Sequence, residues 1–181
     1  CPEIAPGNRL PFNSFVLAGP DGTVHRYRKL HPFTHAGEHE RFRAGEKPVT
    51  VEVGGLRVTP FVCYDLRFSD VFWSAALDTD VYLVTANWPA ARRLHWQTLL
   101  QARAIENQAY VVACNRVGPS PMGTYCGHSI IIDPWGEVIA EGGDEQEIVT
   151  GSINFEKTKE VRSLIHMFRD RQPQSYGTTL T

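Results

Sequence analysis

The stretch Val58-Thr-Pro-Phe-Val-Cys-Tyr-Asp-Leu-Arg-Phe68 is an apolar run that delivers a single cysteine, Cys63, at its end. Its β-branched and aromatic residues predict a strand over 56–62, joined through Gly54-Gly55 to a partner over 49–53. Pro60 cannot donate to a ladder, which predicts an edge position or a bulge just before the cysteine. A thiol at a strand end is a candidate nucleophile, although a lone strand cysteine is more often a small core hydrophobe. What decides between the two lies elsewhere in the chain.

Downstream, a short helix is expected over 69–76 with Ser69 as its cap, then a strand over 80–86 that stops at Asn87-Trp88-Pro89. The clearest helix spans 92–108, where Trp96, Leu99, Leu100 and Ala104 form one stripe. Arg103 interrupts that stripe, and pairing with Glu106 three residues on is its expected role, although a helix arginine also suits a substrate anion. A buried strand follows over 109–115 and makes Cys114 a core thiol. Strand, helix, strand in this order predicts a parallel crossover and an α/β fold. Further strands are expected over 127–133, 137–140 and 147–153, with a turn at Pro134-Trp-Gly136, a helical tail over 155–168 and an extended finish over 169–177.

Upstream, strand-like runs over 13–18 and 23–28 flank Gly19-Pro-Asp-Gly22, which has turn chemistry, so they read as a hairpin leading into Lys29-Leu-His-Pro-Phe33. Residues 34–47 read as a polar loop containing Glu38 and Glu40. His31, His35 and His39 recur every four residues, but Pro32 and Gly37 interrupt any helix that would align them, and no metal site is expected.

With 181 residues, 42% hydrophobic and 21% charged, the chain suits one globular domain over 1–181. A net charge of -2 without long like-charge blocks argues against nucleic acid or a polybasic membrane contact. No apolar run approaches the roughly 20 residues of a membrane span. Four cysteines without a C-x-x-C pair fit a reducing cytoplasm. The chain opens on Cys1-Pro-Glu-Ile-Ala-Pro-Gly7 and its first methionine is Met122, so its beginning is expected to be missing; a processed Cys1 nucleophile is the sharper alternative.

Lys29 ends one strand, Cys63 ends another, and Glu38 and Glu40 lie between. Thiol attack on an amide or nitrile carbon needs a proton acceptor, donors for the oxyanion and water to resolve the thioester. Lysine is a natural oxyanion partner. Five segments, in order, then resemble the nitrilase superfamily of carbon-nitrogen hydrolases: Tyr27-Arg-Lys-Leu-His31; Cys63-Tyr-Asp-Leu-Arg-Phe68; Ala86-Asn-Trp-Pro89 with His95-Trp96; Ala102-Arg-Ala-Ile-Glu-Asn-Gln-Ala-Tyr110; and Gly127-His-Ser129 with Asp133-Pro-Trp-Gly136. The wording is most similar to the omega-amidase branch, whose members deamidate small dicarboxylate monoamides such as 2-oxoglutaramate.

The resemblance implies an α-β-β-α sandwich and a glutamate, lysine, cysteine triad acting on a small-molecule amide without a cofactor or metal. Cys63 would be the nucleophile, Lys29 the oxyanion lysine, the Tyr64 N–H a second oxyanion donor, and Glu38 the auxiliary glutamate. Glu106 would give support from the helix. Asn87 and Trp88 are candidates to line the pocket, and Arg92, Arg93 or Arg103 to hold a distal carboxylate. A homo-oligomer is implied as well. The family's base glutamate lies upstream of the lysine on an earlier strand, and Glu3 does not match its setting. The chain therefore reads as the C-terminal two-thirds of a family member, with the base before residue 1 and little turnover of its own. A hydrolase of nitriles or N-carbamoyl groups, or a non-catalytic scaffold, are the alternatives.

Overall fold

A computed structural model describes residues 1–4, 7, 9–121, 123–154 and 156–175. Strands β1 (Pro2–Glu3), β2 (Phe12–Ala18) and β3 (Val24–Arg28) form one antiparallel sheet. The β2–β3 hairpin is the expected one. Its turn closes through the Gly22 N–H donating to the Gly19 carbonyl at 3.1 Å, with Gly22 at φ 84, a left-handed geometry that glycine adopts without Cβ strain. The loop that follows holds two short 3-10 turns, Thr34–Ala36 and Glu38–Glu40, hinged at Gly37.

A second sheet contains β4 (Val51–Val53), β5 (Leu56–Val62), β6 (Val81–Ala86), β7 (Tyr110–Asn115), β10 (Ile130–Ile132) and β11 (Val138–Glu141), in the order β11-β10-β7-β6-β5-β4. The centre is parallel, β5 with β6 and β6 with β7. Helix α1 (Ser69–Ala75) makes the first crossover and α2 (Arg93–Asn107) the second, as parallel pairing requires. Pro60 lies past the end of the β4 register, which stops at Val51 opposite Val58. That side of β5 is an edge there, so the missing N–H removes no β4 bond. A small hairpin, β8 (Val117–Ser120) with β9 (Gly123–Cys126), stands apart.

Strand alternation sorts the core into two faces. Phe61, Tyr82, Val84, Val111 and Ala113 point to the helices and meet Phe72, Trp96, Leu100 and Ala104. Val58, Val81 and Tyr110 point the other way, where Leu17 of β2 packs on them. The layers therefore run helices, large sheet, small sheet, the α-β-β part of the expected sandwich. Among the described residues no helix is long and apolar enough to cross a membrane.

Five local expectations change. Ser69 is the first helical residue of α1 rather than its cap; Phe68 holds the cap position with no side-chain bond. Cys114 is exposed rather than core, because alternation on β7 buries Ala113 and Asn115 and turns the thiol to the other face beyond the reach of the small sheet. Residues 147–153 form no strand: they lie beyond β11 without a ladder, and Ile148 is 90% exposed. The tail helix is two pieces, α3 (Lys157–Leu164) and α4 (Met167–Asp170), interrupted at Ile165 and His166. The finish then turns through a short 3-10 segment, Pro173–Ser175, instead of extending. Phe155, Tyr176 and Gly177 lie outside the described residues.

Candidate active site

Where β5 ends, the backbone turns sharply. Cys63 has φ 49, a left-handed conformation that is uncommon for a residue with a side chain, and it opens a 3-10 turn, Cys63–Arg67. Strained backbone of this kind persists only where the surroundings hold it, and it points to a functional role.

What holds it is Asp65, which is fully buried. One carboxylate oxygen accepts the Val62 N–H at 3.1 Å and the Tyr27 hydroxyl at 2.8 Å. The other accepts the His31 N–H at 3.0 Å and contacts His31 Nδ1 at 2.9 Å. The His31 ring in turn stacks on Phe68, with centroids 3.7 Å apart. One carboxylate thus ties the cysteine turn to both sides of Lys29. Burial and the negative charge of Asp65 push the Tyr27 hydroxyl far above its ordinary pKa, so it remains a donor. A second brace comes from α2. Arg103, 4% exposed, donates through Nε and Nη2 to the Leu66 carbonyl at 3.2 and 2.8 Å and pairs with Glu106 at 2.7 Å. The Glu106 pairing is the expected one, and Arg103 is thereby committed to structure.

Lys29 sits just beyond β3, 3% exposed. Its ammonium is 2.5 Å from Glu38 Oε2. That same oxygen accepts the Phe33 N–H at 2.6 Å, and Glu38 Oε1 accepts Asn13 Nδ2 at 2.8 Å. Burial works against the Glu38 charge, but the bonds from Lys29, Asn13 and Phe33 outweigh it and hold the carboxyl below its usual range. Glu40, the other loop glutamate, is exposed. Gly45 donates its N–H to the Lys29 carbonyl at 2.8 Å, and a Cβ there would overlap the Arg28 carbonyl oxygen. The glycine permits that close approach.

The Cys63 side chain packs against the helix-side core. Burial raises the thiol pKa, the Lys29 charge and a hydrogen bond with the Asn87 backbone pull it back, and the Glu38 and Asp65 charges push it up again. The sum is a thiol above its ordinary pKa, which remains protonated near neutral pH. It needs a proton acceptor before it can attack.

Asn87 is exposed beside the sulfur, while Trp88 is 3% exposed. The Trp88 indole N–H donates to the Arg92 carbonyl at 2.8 Å, and the Arg67 guanidinium lies 4.8 Å from a Trp88 ring centroid. Asn115 accepts the Trp88 N–H at 2.7 Å and donates to the Gly127 carbonyl at 2.8 Å, which fixes the turn after β6. Tyr64, the residue after the thiol, packs its ring 4.7 Å from Phe33. The structure therefore brings Cys63, Lys29, Glu38, Tyr64 and Asn87 to one place, with Trp88 behind them.

Sequence reasoning passed over Asp65, Tyr27, Asn13 and Asn115 as individual contributors. Alternation did carry a signal for Tyr27: it lies two residues before Lys29, the spacing that keeps side chains on one side of an extended chain. Asn13 gave none, since 25 residues separate it from Glu38.

The carbon-nitrogen hydrolase family model matches residues 3–163. This chain belongs to the carbon-nitrogen hydrolase family. Among relatives, it is 48% identical over 168 residues to the omega-amidase YafV of Yersinia enterocolitica, an alignment covering 92% of this chain and 62% of that protein. It is 40% identical over 169 residues to the 2-oxoglutaramate amidase of Bacillus subtilis, with 91% and 64% covered. The chain thus spans less than two-thirds of the length of these curated relatives. Among solved structures, a CN-hydrolase superfamily protein of Xanthomonas campestris, described with an arsenic adduct in its active site, superposes with TM-score 0.82 at 38% identity, over 90% of this chain and 64% of that one. A Saccharomyces cerevisiae member of branch 10 of the nitrilase superfamily gives TM-score 0.82 at 28% identity, over 96% and 64%. The layering seen in this carbon-nitrogen hydrolase chain is that of the nitrilase superfamily.

Proposed function

We propose that the protein carrying this chain is an amidase of the omega-amidase kind, hydrolysing the terminal amide of a small dicarboxylate monoamide. The observation that carries the reading is the left-handed turn at Cys63, which sets a thiol beside the Lys29 ammonium. Relatives named omega-amidase and 2-oxoglutaramate amidase support the substrate class. Arsenic binds thiols, so the adduct described in the Xanthomonas campestris active site also supports a reactive sulfur in this fold.

In this reading the Cys63 sulfur bonds to the amide carbon as its proton passes to a carboxylate base. The amide oxygen takes up negative charge, held by Lys29 and the Tyr64 N–H. The base returns the proton to the leaving nitrogen, the C–N bond breaks, and ammonia departs to leave a thioester. Water, deprotonated by the same base, releases the acid and restores the thiol. Glu38 has both oxygens engaged, which suits it to positioning Lys29 rather than accepting the thiol proton. In this reading the base is the glutamate that the family resemblance places upstream of the lysine. Asn87 presents its backbone to the sulfur with Trp88 as its rigid backing. We place the enzyme in the cytoplasm, in keeping with four free cysteines, and as a homo-oligomer that uses no cofactor.

The test is a slow amide substrate with the full-length gene product, followed by mass spectrometry. An acyl adduct on Cys63 is expected, and an adduct on Cys114 or Cys126 with Cys63 unmodified overturns the assignment. A panel of 2-oxoglutaramate, 2-oxosuccinamate, glutamine and simple nitriles reads the substrate class.

A further inference from the structure

We infer that Arg92 is the specificity residue that grips the carboxylate at the far end of the substrate, an assignment that rests on the amidase reading above. Three arginines on or beside α2 are within the sequence neighbourhood of the site, and two of them are committed. Arg103 is buried on the Leu66 carbonyl and Glu106. Arg93 is occupied on the flank, 2.7 Å from His128 Nε2 and 3.7 Å from Asp144.

Arg92 differs. Its carbonyl is pinned by the Trp88 indole N–H, so its backbone position is fixed relative to the turn that contacts the Cys63 sulfur. Its guanidinium lies over the Phe33 ring, 5.8 Å from the centroid, and among the described residues it has no carboxylate partner. Phe33 is itself part of the site wall: its N–H binds Glu38 Oε2, and its ring contacts that of Tyr64. A cation resting on an aromatic face, half-buried and short of an anion, is a ready acceptor for one. In an extended five-carbon monoamide the amide carbon and the carboxylate carbon are four bonds apart, roughly 5 Å. In the proposed pose the carboxylate points to the Phe33 and Tyr64 side of the site, where the Arg92 guanidinium rests on the Phe33 ring, and the planar guanidinium suits a two-point grip.

The experiment compares glutaramate with pentanamide, which has the same length and no carboxylate, using the full-length gene product. For Arg92→Gln, the ratio of kcat/KM for glutaramate over pentanamide is expected to fall about 10- to 100-fold, the loss of one charged hydrogen-bond pair. Arg92→Lys is expected to recover part of it. Arg93→Gln is the control and leaves the ratio unchanged. A ratio unaltered by Arg92→Gln, or altered equally by Arg93→Gln, overturns the inference. If the unmodified enzyme hydrolyses neither amide, the amidase reading fails, and calorimetric titration with glutarate then decides the site alone. Binding at least about 10-fold weaker in Arg92→Gln supports it, and equal binding overturns it.

Discussion

Asp65→Asn isolates the clamp beneath the cysteine turn. Each Asp65 oxygen accepts one backbone N–H, from Val62 on one side and His31 on the other, and each also serves a side chain, Tyr27 or His31. An asparagine supplies one acceptor oxygen and one NH₂ group. The Tyr27 hydroxyl can rotate, but neither backbone N–H can reverse, so either amide orientation sets a donor against a buried backbone donor. An orphaned buried group costs about 1–3 kcal/mol, and loss of hydrogen bonds to a charged acceptor adds about 1.5–3 kcal/mol. The expected total is about 3–5 kcal/mol, a large part of the 5–15 kcal/mol that holds a typical domain together. In urea, with a slope of about 2 kcal/mol/M, the unfolding midpoint should fall by roughly 1.5–2.5 M. Tyr27→Phe removes one donor from Asp65, leaves three, and takes the acceptor from the Leu30 N–H, so it should cost about 1–3 kcal/mol beyond any packing change, and the double variant should be less destabilised than the sum. A midpoint that moves by less than about 0.5 M in Asp65→Asn would refute the idea that this carboxylate holds the turn.

Two further outcomes follow from geometry already described. Gly45→Ala drives a Cβ into the Arg28 carbonyl, so the Tm should drop by about 3–10 °C, and an unchanged Tm would mean the strand end carrying Lys29 yields freely. In the intact chain, iodoacetamide should label exposed Cys114 ahead of Cys63, whose raised pKa keeps its thiolate scarce until the pH climbs above the ordinary value near 8.5. Peptide mapping after timed labelling reads the order, and rapid labelling of Cys63 at pH 6 contradicts the charge balance described around it.

The order of strands and helices was legible because periodicity and turn chemistry agree over most of the chain. The crossover α2 carried its apolar stripe, and the two hairpins carried glycine where the turns need it. The misreadings share a cause. Cys114 and residues 147–153 depend on what covers a face or pairs with a strand, and local pattern is blind to both. At the site, the partners Lys29 and Glu38 were legible through family resemblance and through their common loop. The Asp65 clamp was not, because Tyr27 and His31 become its neighbours only once β3 and β5 are brought together.

The clamp has an electrostatic consequence for traffic through the site. Around the sulfur, two carboxylates, Glu38 and Asp65, stand against the single ammonium of Lys29. A thiolate added to that set deepens the negative potential, so full charge separation at sulfur is disfavoured, and proton movement is coupled to bond formation rather than completed before it. The same potential disfavours a further carboxylate formed beside the sulfur. In the amidase reading the acid is the last product to form, and that potential speeds its departure.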